Sequence, residues 1–450
     1  MISKKGEPLS GATEELLAME EAYTAGGFGP TPGFIVSASG STMIDIDGKE
    51  ILDFASTMSA VNLGHCNPVV TGAVVESIQR ITQANIATHT NTWPPLAKAL
   101  CHKLGYHKVA AMVSGAEAAD SAVKIACKWG IVRKGILPAD VLVLGCSDNY
   151  HGLTSGIWPI MNPGCGQEGM SLFSRYGISS KSITNRSPTT GGLLRYGHVE
   201  DFESVLREMH HLVAGIIMEP IHGTLRTFEE EINFAIGVRR LCTKYNILFI
   251  SDEVRMGSAK TGKFLCSDWL GPENKPDIVT LGKSITGGVY PASYVLGFNE
   301  TMNLVQPNQI ASTYAMSPAA NAATLAALGI YEDTHILERA TAIQNRWNEV
   351  AARWNHPFID YCTARGADLG IVIKMGVSNV TPRRIARLAY QKGVLIYPQN
   401  PRLRLSVALT ITDDELDKGL RILTEVMDEI ASYDDIPGST HTVEHIAAGF

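Results

Sequence analysis

Short apolar runs separated by helical patterns fill the middle of the chain. Val141–Leu144, Val213–Met218, Ile247–Ile250, Asp277–Leu281 and Ala292–Leu296 each read as a buried strand. Residues near Glu230–Tyr245 place Ile232, Ala235, Ile236 and Cys242 on one helical face. Apolar strands alternating with helices predict a mostly parallel sheet covered on both faces. The last third changes character. A long helical stretch is predicted from Ala319 to Trp354, followed by short strands at Ile371–Lys374, Val394–Tyr397 and Leu403–Ala408. A final helix opens on the capping box Thr412-Asp-Asp-Glu415, in which hydroxyl and carboxylate each satisfy a free backbone donor. Its stripe of Leu416, Leu420, Leu423, Met427 and Ile430 keeps i+3, i+4 spacing. This third reads as a smaller α/β domain. The tail beyond Ser432 is expected to be poorly ordered.

Composition narrows the function classes. The chain has 450 residues, 45% of them apolar, and 38 basic against 45 acidic side chains give a net charge of −7. A slightly acidic chain with no basic run argues against nucleic-acid binding. No apolar run approaches the ~20 residues of a helical membrane span. The opening Met1–Gly6 has no apolar signal core. Glu14, Glu15, Glu20 and Glu21 follow where a matrix-targeting segment would be basic, so a cytosolic protein is expected. The eight cysteines form no C-x-x-C pair and no H-E-x-x-H is present, so no metal site is expected. Gly164–Gly169 matches G-x-G-x-x-G but follows no strand, and no acid stands about 20 residues on to hold a ribose. Gly282-Lys-Ser284 lacks the earlier glycine of a phosphate loop, a position held by Asp277.

Four pieces point to one chemistry. The strand ending at Ile250 runs into Ser251-Asp252-Glu253, and ligands of open parallel sheets bind at such strand ends. Lys283 stands between glycines after the strand ending at Leu281. Ser114-Gly-Ala-Glu-Ala118 opens a helix running to about Lys134, whose N-terminal N–H groups suit a phosphate. Tyr150, in Asn149–Thr154, can lie flat on a planar ring. Alone, each is a weak signal: Asp252 reads first as a helix cap or solvated loop acid, and the others also describe a turn lysine, a plain helix start and core packing. Together they supply what pyridoxal phosphate needs: an amine for covalent bonding, an acid for the ring nitrogen, a phosphate cradle and an aromatic cover.

The sequence resembles the class III, fold-type-I aminotransferases, nearest to the ornithine aminotransferase group. The resemblance rests on Ser59–Pro68, Met112–Ala118, Glu219–Gly223, Leu248–Val254, Leu281–Gly288, Ser312–Tyr314 and Arg404. It implies a mostly parallel seven-stranded sheet in a large domain over residues 59–325. An N-terminal arm (1–58) would join a small domain (326–450). It also implies that Lys283 bonds the cofactor and then carries the proton, and that Asp252 pairs with the ring nitrogen. Tyr150 would stack on the ring and Val254 pack on its other face. Ser114, Gly115 and Ala116 would receive the phosphate. Thr313 would reach the phosphate of a second subunit, making a homodimer with shared sites. Glu219, His151 and Arg255 would stand around the cofactor, and Arg404 would grip a substrate carboxylate. The implied activity is ping-pong transfer between an amino donor and a carbonyl acceptor. The alternative is an isomerase, decarboxylase or lyase on the same scaffold. A non-catalytic binding role sits poorly with intact Lys283, Asp252 and Thr313.

The departures are informative. Ornithine aminotransferases read roughly N-F-W-G-R-T where this chain has Asn149–Thr154, so their substrate-contacting arginine is Leu153. Their G-E-A-G becomes Gly223–Arg226, putting Thr224 in place of a switchable glutamate. Two substrate-contacting tyrosines map to Phe28 and Met58. Each change favours a substrate less polar than ornithine. Arg255 replaces a glutamine that meets the ring hydroxyl. Either it takes that contact, or it turns into an ion pair with Glu253 or a loop acid. The Gly- and Ser-rich stretch 162–197, with Arg186, Arg195 and Tyr196, is either a gating loop or a surface insertion. His151 and His222 lie near the ring by the resemblance, as cofactor contacts or as structural histidines.

Overall fold

The computed structural model describes residues 4–25, 29–161, 182–374, 376–377 and 379–439. They form two compact units, one of residues 1–67, 260–262 and 335–450 and one of residues 68–259 and 263–334. The domain boundaries drawn from sequence lie somewhat earlier, after residues 58 and 325. Among the described residues no helix is long and apolar enough to cross a membrane.

The second unit is built on seven strands: β1 (Lys108–Met112), β2 (Leu142–Gly145), β3 (Ile183–Thr184), β4 (Val213–Met218), β5 (Leu248–Asp252), β6 (Ile278–Leu281) and β7 (Ser293–Gly297). They lie in the order β1-β7-β6-β5-β4-β2-β3. β7 is antiparallel to both neighbours, so the other six share one direction. Alternate residues feed two cores, as the pleat requires. Val143, Ile217 and Ile250 pack with Ala118, Ala122, Val123 and Trp129 of helix α1 (Gly115–Arg133). Leu144, Ile216 and Phe249 pack with Phe202 of α2 (Val199–Met209) and Phe234 and Val238 of α3 (Phe228–Tyr245). The buried face of α3 is centred on Phe234, Val238 and Leu241; Ile232 and Ile236, expected on it, are only partly buried.

The described part of the stretch 162–197, from residue 182 on, is built into the fold. Ile183–Thr184 adds the edge strand of the sheet, and Tyr196 is buried with its hydroxyl on the Pro220 carbonyl at 3.1 Å. Residues 162–181, including the Gly164–Gly169 motif, lie outside the described residues.

The first unit holds two four-stranded sheets and a two-stranded one. Val394–Leu395 joins Glu50–Asp53, Thr42–Asp45 and Ile35–Ser39; Tyr397–Gln399 joins Arg402–Ser406, Asp368–Ile373 and Ile359–Arg365. The single strand expected at Val394–Tyr397 is thus two strands in different sheets. Asp413–Glu429 carries the expected capping box and buries Leu416, Leu420, Leu423 and Met427. The long helix expected from Ala319 to Trp354 is two: α4 (Pro318–Tyr331) in the second unit and Thr334–Ala351, mostly in the first. Asp333 and Thr334 mark the break, as side chains that compete for backbone hydrogen bonds. The described residues just beyond Ser432 are not loose. Tyr433–Asp435 pairs in parallel with Lys4–Lys5.

Candidate active site

The C-terminal ends of parallel strands gather the residues of interest. Ser114–Ala116 follow β1, Tyr150 and His151 follow β2, Glu219 follows β4, Asp252 ends β5, and Lys283 lies two residues beyond β6. The loops approach so closely that glycine is required. A Cβ on Gly115 would stand 2.7 Å from Val254 Cγ1, and one on Gly152 would stand 2.3 Å from Ala116 Cβ. A Cβ on Gly282 would reach Val254 Cγ1 at 3.2 Å and Gly115 Cα at 3.5 Å. Val254 therefore lies against both the Lys283 turn and the start of α1.

Asp252 is 2% exposed and fully engaged. Its Oδ2 meets His151 Nδ1 at 2.6 Å. Its Oδ1 accepts from the Val254 amide and the Thr280 hydroxyl, each at 3.0 Å. The register explains the second bond, since Thr280 is the cross-strand partner of Asp252. Two side chains thus fix the acid, and neither is a full counter-charge like arginine. His151 Nε2 is buried with no partner among the described residues.

Arg255 settles into an ion pair with a loop acid, Glu219, and not with Glu253. Its Nε meets Glu219 Oε1 at 3.3 Å, and its Nη2 donates to the His222 carbonyl. Glu219 Oε2 accepts from the Tyr150 amide at 3.0 Å and lies 3.3 Å from His222 Nε2. His222 Nδ1 lies 3.1 Å from the Thr224 hydroxyl. Glu253, the expected partner, is occupied elsewhere. It accepts from the Ser251 hydroxyl and from the amides of Cys266 and Ser267 at 2.7–2.9 Å. Burial pushes its carboxyl above the usual carboxylate range, against the pull of those donors. Burial likewise pushes up the Cys266 thiol and the Tyr196 phenol.

Lys283 is half-buried and adopts a left-handed φ of +46° at the start of a short 3₁₀ turn. That turn is anchored from below: the Ser284 hydroxyl and carbonyl both meet the Tyr331 hydroxyl at 3.0 Å. At the start of α1, Glu117 Oε2 caps the Val113 and Ser114 amides, and Ser114 Oγ caps the Glu117 amide. This leaves Gly115 and Ala116 as first-turn positions whose N–H groups the capping box does not use. The Ser293 hydroxyl ties the Ser114 carbonyl down at 2.7 Å. Thr313 is exposed, in a loop held by Gln83 on its own carbonyl (3.0 Å) and Asn85 on the Ala315 carbonyl (2.6 Å). Leu153 is 48% exposed, and Thr224 is buried. Thr280 and Ser293 escaped the sequence reading because strand positions give no sign of which neighbour they face.

Two expected substrate residues belong to the first unit. Met58 lies in a run of four non-glycine left-handed residues, Ser56–Ser59, with φ from 42° to 67°. Such residues cost ~1–2 kcal/mol each. Asp53 holds the run through the Ala55 and Ser56 amides at 2.9 and 2.8 Å, and Ser59 through Ser406 at 3.0 Å. Arg404 is half-buried on Arg402–Ser406, opposite Gly370 and Tyr397. Phe28 lies outside the described residues.

These groups fit pyridoxal phosphate. Gly115 and Gly282 let the start of α1 and the Lys283 turn close on Val254, the unused first-turn amides are anion donors, and the clamped acid suits a ring nitrogen. Comparison with known proteins agrees. The aminotransferase class-III family model matches residues 23–427. The ornithine aminotransferase of Schizosaccharomyces pombe is 32% identical over 95% of this chain and 96% of its own length. That of Saccharomyces cerevisiae is 32% identical over 93% and 98%. The crystal structure of ornithine aminotransferase from Toxoplasma gondii superposes with a TM-score of 0.83 at 26% identity, covering 93% of this chain and 96% of that one. With the strand-end constellation on the same footing, the chain belongs to the class-III aminotransferases, the fold-type-I transaminases that use pyridoxal 5′-phosphate.

Proposed function

We propose that this transaminase works on an amino substrate less polar than ornithine, exchanging its amino group with a carboxylate-bearing partner. When bound, pyridoxal phosphate supplies an aldehyde that captures amines and a ring that accepts electron density from the reacting carbon. Lys283 holds that aldehyde between turnovers and carries the proton between substrate and cofactor carbons. Asp252 keeps the ring nitrogen protonated, with His151 and Thr280 orienting it. The Gly115 and Ala116 amides, with Ser114, hold the phosphate. Tyr150 and Val254 cover the two ring faces. Arg404 receives the carboxylate of a substrate such as glutamate or alanine. In a homodimer, Thr313 reaches the second subunit's phosphate. Its exposure, with that of Tyr314, Ile78, Ile81 and Ile86, supports such a contact.

The observation that carries the catalytic assignment is the register of β5 and β6. It sets Asp252 against Thr280, three residues before Lys283, while His151, from the loop after β2, holds the other carboxylate oxygen. The substrate assignment rests on Leu153 and Thr224. A leucine cannot satisfy a charged substrate end, and the Thr224 hydroxyl is engaged by His222. No observation favours the isomerase or lyase alternative, because Arg255, the residue that suggested altered electronics, is paired with Glu219.

The test mixes the loaded enzyme with ornithine, glutamate, alanine and apolar amines, one at a time, and follows the visible band. Bleaching by donors, restored by an oxo acid, is expected for the wild type and lost in Lys283→Ala. A best donor that is ornithine, with tight binding and fast turnover, overturns the substrate assignment.

A further inference from the structure

Glu231 has no part in the site as read so far. It stands in the first turn of α3 and is fully buried. Its neighbour Glu230 closes an ordinary capping box with Thr227. The Glu231 carboxylate instead faces a different segment. Oε2 accepts from the His222 amide at 3.2 Å and the Gly223 amide at 3.1 Å. Oε1 accepts from the Thr224 amide at 2.7 Å and the Leu225 amide at 3.0 Å. Four consecutive N–H groups thus converge on the two oxygens, matching the roughly four lone-pair sites of a carboxylate.

This loop joins the proposed substrate wall to the charges beside the cofactor. Thr224 belongs to the wall, and its hydroxyl meets His222 Nδ1. His222 touches Glu219 through its ring and Arg255 through its carbonyl. We propose that Glu231 is a positioning residue: it moulds loop 222–225 and so sets Thr224 directly and the Arg255–Glu219 pair through His222. The proposal rests on the reading that Thr224 lines the amino-substrate pocket. It makes the wall rigid, with backbone pinned and hydroxyl engaged.

Hydrogen exchange on the wild-type apoprotein gives the first test. The amides of 222–225 lie outside regular structure, yet they should exchange as slowly as those in the core of α3. Fast exchange there, with α3 protected, overturns the proposal. Glu231→Gln keeps the shape but turns half of the head into a donor facing two N–H groups. Exchange at 222–225 should rise at least about tenfold, with little change elsewhere. KM for the best amino donor should rise about tenfold, the equivalent of one lost charge-assisted hydrogen bond, with kcat within about twofold. A lowered Tm with unchanged KM makes Glu231 merely structural and overturns the proposal. Should the Gln variant not fold, Glu231→Asp, charged but one carbon short, is read the same way. Thr224→Ala separates the two readings. Unchanged KM there sinks the placement of Thr224 in the pocket but leaves the exchange result standing.

Discussion

Removing the Arg255 guanidinium tests which of two partners it serves. The Nε–Oε1 distance of 3.3 Å gives a gross attraction of about 5 kcal/mol at an effective dielectric of about 20. Both side chains are almost fully buried, so desolvation offsets part of this. In Arg255→Gln, Glu219 keeps the Tyr150 amide and His222, and the new carboxamide retains a donor. The expected loss is therefore about 2–3 kcal/mol, below the ~3–5 of a fully orphaned buried charge. Glu219→Gln should cost a similar amount by stranding Arg255. The double variant should regain stability, with a coupling of about 2–4 kcal/mol. Urea midpoints of the four apoproteins, compared at constant m, measure it. In the loaded enzyme, Arg255→Gln should move the pH midpoint of the visible band by less than about 0.5 unit, or about 0.7 kcal/mol. Additive stability losses together with a midpoint shift of about one unit or more would show that Arg255 serves the cofactor oxygen and refute the ion-pair account.

Other outcomes follow from the same geometry. Asp252→Asn should slow the half-reaction by about 10³-fold or more, because a neutral amide cannot hold the ring nitrogen protonated; His151→Phe should slow it by only about tenfold, and stopped-flow bleaching separates the two. Gly115→Ala should weaken cofactor binding at least about tenfold, since its Cβ would stand 2.7 Å from Val254 Cγ1, and adding Val254→Ala should restore part of the affinity in equilibrium dialysis. Arg195 holds the Asp201 carboxyl below its ordinary range through a hydrogen bond at 2.8 Å. A depressed carboxylate adds stability that is present above its unfolded pKa and lost as pH falls through the folded value. Arg195→Met should therefore lower Tm slightly at pH 7 and not at all near pH 2, with the effect shrinking in high salt because Arg195 is half exposed.

The sheet was legible where strands are buried on both faces. Val213–Met218 is apolar along its whole length, and its bounds are those read from sequence. The same rule hid the edges. β1 begins with Lys108 and is partly exposed, and β3 is two residues long, so neither has the apolar run that marks a central strand. The strand-end positions of Lys283 and Asp252 were legible because strand ends and flanking glycines are local signals. The partners that hold them were not, since Thr280 meets Asp252 only through the β5–β6 register and Tyr331 meets Ser284 across 47 positions of chain. Glu231 was the most hidden. In sequence it closes a run of three acids at a helix start, where acids are ordinary.

The fate of these charges bears on what the site can bind. Asp252 is held by hydrogen bonds from Thr280, the Val254 amide and His151, Glu219 by Arg255 and Glu231 by four amides. Each of these buried charges is thus answered within the second unit itself. Where the resemblance places an arginine and a glutamate for ornithine, this unit offers Leu153 and a threonine whose hydroxyl already has a partner. On the proposed placement of Leu153 and Thr224 in the amino-substrate pocket, a second charged amine there would give up its water for no counter-charge, a cost that pKa-shifted or paired groups in proteins avoid. An apolar substituent would displace water from Leu153 at no such cost. Across a series of terminal amines differing only in the group beyond the reacting carbon, kcat/KM should therefore rise with apolar area and fall when a charge is added. A flat series would mean that the selecting wall lies elsewhere.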